Sequence, residues 1–148
     1  MLIRSYFPSD RADLTEMMLS LNKEDSEELP LDEQKLKVFF DNLSTDEDTR
    51  VFIAEVDEQA VAYLTLSFSF STEFGGRYAE IEEVYVKPAH RKSGVGKLLL
   101  EASENYAKSH GARSAFLVAS NSNLRAQAWY EQLGYKALPR IEYLKILD

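Results

Sequence analysis

An α+β fold built on a mostly antiparallel sheet is what this chain of 148 residues predicts. Three observations lead there. Two apolar, β-branched runs, Arg50–Val56 and Ala60–Phe70, are joined tightly through Asp57-Glu58, so they pair as a hairpin. A third run, Tyr78–Val86, follows across Ser71–Arg77, where Gly75-Gly76 suits a second reversal. A helical repeat then stands between that run and another at Ser114–Val118. A strand–helix–strand crossover of this kind lays its two strands side by side and parallel.

The elements follow in order. Ser9 or Asp10 can cap a first helix running to about Leu21, with Leu14, Met17, Met18 and Leu21 on one side. The acidic stretch to Pro30 reads as a loop. A second helix over Asp32–Leu43 buries Leu36, Phe39, Phe40 and Leu43. After the three strands, Leu98, Leu99, Ala102 and Tyr106 repeat at helical spacing through Gly96–Ser109, and Gly111 stops that helix. A last helix, Asn123–Leu133, ends at Gly134, which suits a left-handed cap. The tail Ile141–Leu147 alternates apolar and polar residues as a final strand. Residues 1–148 read as one domain, long enough to bury a core and without repeats or low-complexity tracts.

Composition removes several classes of function. Hydrophobic residues at 45% and charged residues at 28% describe a globular protein rather than a disordered one. The net charge of −8 argues against nucleic-acid binding, which needs basic surface to meet phosphates. Apolar stretches fall short of a membrane span, and the N-terminus shows no basic-then-apolar signal peptide. With no cysteine there is no disulfide and no thiol nucleophile, which fits a cytoplasmic location. Acidic residues gather at Glu24, Asp25, Glu27 and Glu28 and again at Asp46, Glu47 and Asp48. They read either as solvated loops or as a field that draws in a cationic substrate. His90 and His110 lack metal-ligand spacing, so no metal site is expected, and without a Gly-x-Ser-x-Gly motif a hydrolase has no support.

The strongest motif is Arg91-Lys92-Ser93-Gly94-Val95-Gly96, between the strand ending at Val86 and the leucine-rich helix. Glycines at a strand-to-helix junction let the backbone approach a ligand, and the helix then begins with free N–H groups and a positive dipole end, which favour an anion such as pyrophosphate. Arg91 and Lys97 flank the site with positive charge. Two known phosphate loops do not fit. Gly96-Lys97 is followed by Leu98 rather than Ser or Thr, and Leu99 stands where a dinucleotide fingerprint has its third Gly.

Arg-x-x-Gly-x-Gly, preceded by Val84-Tyr85-Val86-Lys87-Pro88, resembles the acetyl-CoA motif of the GNAT superfamily of N-acetyltransferases. A second block, with Asn123, Ala126, Tyr130, Gly134 and Tyr135, is similar to the segment that family carries after its fifth strand. The resemblance covers most of the chain, with residues 1–50 matching only as a loose helical pattern. It implies a GNAT-like, mixed but mostly antiparallel central sheet with flanking helices, and a β-bulge before the cofactor loop. Apolar residues change register from Ile81 to Val84 and Val86, with Glu82-Glu83 at the switch, which fits such a bulge; a strand buried on both faces is the other reading. Many members have Gly after the Arg, where this chain has Lys92; its side chain either reaches the phosphates or points to water.

The resemblance implies acetyl-CoA as co-substrate. It would be held by the backbone of Val84, Tyr85 and Val86, by the loop Arg91, Lys92, Ser93, Gly94, Val95, Gly96 and Lys97, and by Asn123 and Tyr130. Acetylating an amine requires a base for the ammonium, donors for the oxyanion and an acid for the departing thiolate. The segments 71–77 and 81–86 resemble the spermidine/spermine (diamine) acetyltransferase branch, which maps the base onto Glu82, directly or through water. Glu83 is the alternative, with the two side chains expected on nearly opposite faces. The resemblance also maps the acid onto Tyr130, whose phenol stays protonated at neutrality; a core aromatic on an amphipathic helix is the other reading. The expected substrate is a small cationic primary amine: a polyamine, diamine or lysine-like amino acid. A protein N-terminal or lysine acetyltransferase, or a silent acyl-CoA-binding module, are the rival readings. A homodimer is the expected assembly.

Overall fold

In the computed structural model, which describes residues 1–25 and 29–147, the tightest turn organises the sheet. Asp57 and Glu58 both take positive φ, 49° and 62°, the conformation of a two-residue type I′ hairpin loop whose twist matches its flanking strands. It joins β2 (Thr49–Val56) to β3 (Gln59–Ser71). A second hairpin, turning through Gly75, leads to β4 (Gly76–Val86), which starts two residues earlier than the sequence suggested. β5 is short (Ala115–Leu117) and pairs parallel with β4 from Ala79 to Ile81, as the crossover requires. The sheet order is β1-β2-β3-β4-β5, antiparallel except at β4–β5.

β1 (Leu2–Ser5) is the strand that sequence reading missed. Four residues carry too little alternation to register, and its place at the edge is secured by Arg4. That guanidinium donates to both oxygens of Asp10, each at 2.8 Å, and to Glu55 at 2.8 Å. Asp10 also accepts the Phe7 N–H at 2.7 Å, closing the 3-10 turn Pro8–Asp10. The hydrogen bonds from Arg4 hold the Asp10 carboxyl below its ordinary range although burial opposes ionisation, and the Phe7 N–H adds to the effect.

One face of the sheet is covered by α1 (Arg11–Asp25) and α2 (Glu33–Leu43). Leu14, Met17 and Met18 of α1 and Leu36 and Phe40 of α2 pack on Val51, Ile53, Tyr63 and Tyr85, with Leu21, Phe39 and Leu43 partly buried beside them. Asp32 caps α2 by accepting the Lys35 N–H at 2.8 Å. α1 runs four residues beyond the expected Leu21, and Glu27 and Glu28 of the expected loop lie outside the described residues. The opposite face meets α3 (Val95–Ser109), where Phe52 and Phe68 pack on Tyr106 at ring distances of 5.3 and 6.2 Å. Its buried stripe is Val95, Leu99, Leu100, Ser103 and Ala107, so Leu98 is solvent-facing rather than core. Ser103 is tolerated there because its hydroxyl donates to the Leu100 carbonyl at 2.7 Å. β3 lies between the two layers, and every residue from Ala60 to Leu66 is buried.

Two compact units divide the chain, Met1–Val118 and Ala119–Asp148. In the second, Asn123 caps α4 (Leu124–Gln132) by accepting the Ala126 N–H at 3.1 Å, and Gly134 takes φ 93°, the left-handed cap expected. The expected strand at Ile141–Leu147 is not formed. Its alternation is real, but Ile141, Tyr143, Leu144, Ile146 and Leu147 are all exposed, and a strand without a neighbouring ladder has no partner for its backbone groups.

Candidate active site

β4 carries the site because its pairing changes along its length. Thr65 stands opposite Glu83 and Leu66 opposite Ile81, so Glu82 is the extra residue of a β-bulge. The register switch in the sequence was therefore a bulge and not a strand buried evenly on both faces. β5 accompanies β4 only as far as Ile81. Beyond the bulge the Lys87 N–H turns to Val61 of β3 at 2.9 Å. Alternation then turns the backbone groups of Val84 and Val86 the other way, to the side where β5 no longer runs. On that side the Val86 carbonyl accepts Arg91 Nε at 2.8 Å. An added extended chain would find ladder groups there.

The loop after β4 prepares a helix N-terminus. A 3-10 turn, Pro88–His90, is followed by Lys92 at φ 62° and Gly94 at φ 88°, and α3 starts at Val95. Its N-cap residue, Gly94, has no side chain to offer, and the first N–H groups of a helix have no intrahelical acceptor. A Cβ built on Gly94 would meet nothing within 4 Å. Glycine serves that position through its positive φ rather than by relieving a clash. Gly96 lies within α3. Together, an open loop, first-turn N–H groups and the helix dipole suit a diphosphate.

The flanking side chains are committed differently from expectation. Arg91 chelates Glu24 at the end of α1, with 2.7 and 2.8 Å to its two oxygens, besides bracing Val86 and lying 5.5 Å over the Tyr85 ring. Its charge is largely offset by Glu24. Lys92 is exposed, Lys97 lies 3.7 Å from Glu101, and the Ser93 hydroxyl donates to the His90 carbonyl within its own loop. Glu24 as partner had no signal in the sequence, being 67 residues away.

The two carboxylates share one face, contrary to the expectation of opposite ones. Glu82 accepts the Ser67 hydroxyl at 2.9 Å, and Glu83 accepts the Tyr63 hydroxyl. Tyr63 and Ser67 are four residues apart on β3 and so face the same way. The bulge explains this, since its extra residue breaks the alternation that would separate neighbours. Glu82 is exposed and Glu83 half-buried. The supporting hydroxyls were missed, although Tyr63, Thr65 and Ser67 recur at period two within an otherwise apolar run. In the second unit, Tyr130 packs its ring against Trp129 at 5.1 Å and Tyr135 at 6.0 Å. Among the described residues no group of three or more His, Cys, Asp or Glu is placed to hold a metal ion, and no helix is long and apolar enough to cross a membrane.

A bulged β4, a parallel neighbour paired with it only as far as Ile81, and an open loop feeding a helix N-terminus are the features to set beside known proteins. The chain belongs to the acetyltransferase (GNAT) family, whose family model matches residues 14–135. It is similar to an aminoglycoside N(6')-acetyltransferase type 1 of Acinetobacter haemolyticus, 31% identical over 62% of this chain and 65% of that one. It is also similar to a thialysine N-epsilon-acetyltransferase of Bos taurus, 33% identical over 55% of this chain and 48% of that one. The chain spans less than two thirds of the length of these curated relatives. Among solved structures, an aminoglycoside antibiotic 6'-N-acetyltransferase of Acinetobacter haemolyticus superposes with a TM-score of 0.80 at 25% identity, covering 100% of both chains.

Proposed function

We propose that the protein is an acetyl-CoA-dependent N-acetyltransferase that transfers acetyl directly to a primary amine of a small cationic molecule. The observation that carries this reading is the bulge at Glu82. It turns two carboxylates to one face and, within four residues, leaves the Val84 backbone and the Val86 N–H beyond the reach of β5, beside the N-terminus of α3. Val84, Tyr85 and Val86 would hold the pantetheine arm as an added strand. The loop from Arg91 to Lys97 would hold the diphosphate, through backbone N–H groups more than through Arg91. Bound acetyl-CoA supplies the thioester. Glu82 takes the proton that the ammonium must lose, and the family resemblance of the segment around Asn123 and Tyr130 assigns Tyr130 as the acid.

The relatives that act on aminoglycoside and thialysine nitrogens support an amine acceptor. The thialysine relative also favours the diamine-like branch, in which an aliphatic amine is the acceptor. The reading takes residues 1–148 as one working domain, supported by the solved structure that covers 100% of this chain. A homodimer in the cytoplasm completes it, on the family resemblance and the lack of cysteine, and light scattering on the purified protein tests the assembly.

The decisive experiment is thiol release from acetyl-CoA over a panel of putrescine, spermidine, lysine, thialysine, kanamycin and an N-terminal peptide. Turnover with aliphatic diamines or lysine-like amines, depressed by Glu82→Gln most strongly near neutrality and partly recovered at high pH, is expected. No acetyl-CoA binding by calorimetry would remove the acetyltransferase reading; turnover only with the peptide would replace the small amine by a protein acceptor.

A further inference from the structure

Resting on that reading, we propose that Thr65 is a specificity-determining residue that selects a primary amine over a secondary one. Tyr63, Thr65 and Ser67 form a row of three hydroxyls on one face of β3, opposite the two carboxylates of the bulge. The outer two are used, Tyr63 on Glu83 and Ser67 on Glu82. The middle one is not. Thr65 is only 3% exposed, and among the described residues its Oγ1 has no hydrogen-bond partner. A buried hydroxyl without a partner is costly and uncommon, and the cost disappears when a ligand supplies what is missing.

Its position says which ligand. Thr65 pairs directly with Glu83 across the ladder, which places their Cβ atoms about 5 Å apart. Exposure falls from Glu82 through half-buried Glu83 to buried Thr65, which orders three oxygens from the surface inward. A carboxylate keeps acceptor capacity after taking one hydroxyl. Three acceptors match the three N–H bonds of a primary ammonium, R–NH3+.

The assignment also fits the chemistry. One ammonium proton passes to Glu82, leaving R–NH2 with its lone pair free for the thioester carbon and its two remaining N–H bonds on Glu83 and Thr65. The N–C bond forms and the C–S bond breaks. The thiolate takes a proton from the acid, and the nitrogen gives up a second one, so the sum is R–NH3+ plus acetyl-CoA to the acetamide, CoA–SH and one H+. A secondary amine has one N–H too few, and its methyl group leaves the buried Thr65 oxygen unpartnered.

The test compares wild type with Thr65→Val, which removes the hydroxyl at similar size, and Thr65→Ser, which keeps it. The probes are putrescine against its doubly N-methylated derivative, and lysine against Nε-methyllysine, at saturating acetyl-CoA. Wild type is expected to prefer the primary amine by about tenfold or more, the scale of one hydrogen bond. Thr65→Val should lose about tenfold in kcat/KM on the primary amine and little on the secondary, collapsing the ratio, with acetyl-CoA affinity by calorimetry unchanged. Thr65→Ser should keep the ratio. An active wild type whose ratio is the same in Thr65→Val overturns the inference alone; if that variant does not fold, a ratio unchanged in Thr65→Ala does the same. A wild type that binds acetyl-CoA but acetylates neither primary amine overturns the inference together with the small-amine reading. A wild type that does not bind acetyl-CoA overturns the acetyltransferase reading as well.

Discussion

Replacing Lys92 by glycine separates backbone from charge at the loop. Lys92 holds φ 62°, a left-handed conformation that costs an L-residue about 1–2 kcal/mol. Glycine removes that cost but brings back about 0.5–1 kcal/mol of chain entropy. The side chain is exposed and makes no hydrogen bond or ion pair among those described, so little else changes. The net expectation for Lys92→Gly is a gain of about 0.5–1 kcal/mol, or roughly 1–4 °C in Tm for a chain of this size. Acetyl-CoA affinity should move the other way. Losing one charge near a diphosphate weakens binding about threefold at low salt, and screening erases the difference near molar salt. Thermal unfolding followed by circular dichroism reads the first effect, and calorimetry at two salt concentrations reads the second. A fall in Tm would refute the strain argument. A Kd that is unchanged at low salt would turn Lys92 into a purely solvated residue.

Asp10→Asn should cost about 2–3 kcal/mol, because it removes a charged partner from two short Arg4 bonds in a nearly buried site. Since Asp10 titrates below its ordinary 3.8 when folded, its contribution is complete above that value and is lost as pH falls through it. The stability gap between wild type and Asp10→Asn in urea should therefore narrow below about pH 4, and a gap constant down to pH 2 would contradict the assignment. Glu58→Gly, at the second central position of the type I′ turn, should stabilise by about 0.5–1 kcal/mol in the same urea assay. Glu24→Gln should release Arg91 toward the loop and lower the acetyl-CoA Kd about threefold at low salt; a weaker Kd would mean that the Arg91–Glu24 pair shapes the loop rather than competing for the anion.

The fold was legible where periodicity is strong. The β2–β3 hairpin, the parallel β4–β5 pair and the helix after Gly94 all follow from local pattern, because each is fixed by short-range turn chemistry or by one crossover. β1 and the tail show the limit from both sides. Leu2–Ser5 is too short to show a period yet pairs, since Arg4 ties it to Asp10 and Glu55. Ile141–Leu147 shows the period yet makes no strand, since alternation describes two faces and does not supply a neighbour. The stripe of α3 slipped by about one residue, bringing Ser103 inward and Leu98 outward, because hydrophobicity alone cannot see that a serine satisfied by its own helix is cheap to bury.

The candidate site was legible in its backbone more than in its side chains, and the bulge explains the difference. A change of apolar register between Ile81 and Val84 can be read along one strand, so the bulge was recoverable. Where the extra residue points depends on the partner strand, so two neighbouring carboxylates expected on opposite faces prove to share one. The same dependence hides the hydroxyls behind them, since Tyr63, Thr65 and Ser67 gain meaning only once β3 is set against Glu82 and Glu83. It also hides the ion pair of Arg91, whose partner lies at the end of α1. A motif whose work is done by backbone N–H groups survives this loss of information, since φ at Gly94 and the start of α3 are local properties. The proposed recognition of the acceptor does not, because it would be assembled from side chains that only the sheet brings together. That is why the backbone geometry of the loop after β4 could be read from the sequence, while Thr65, the proposed selector of the amine, could not.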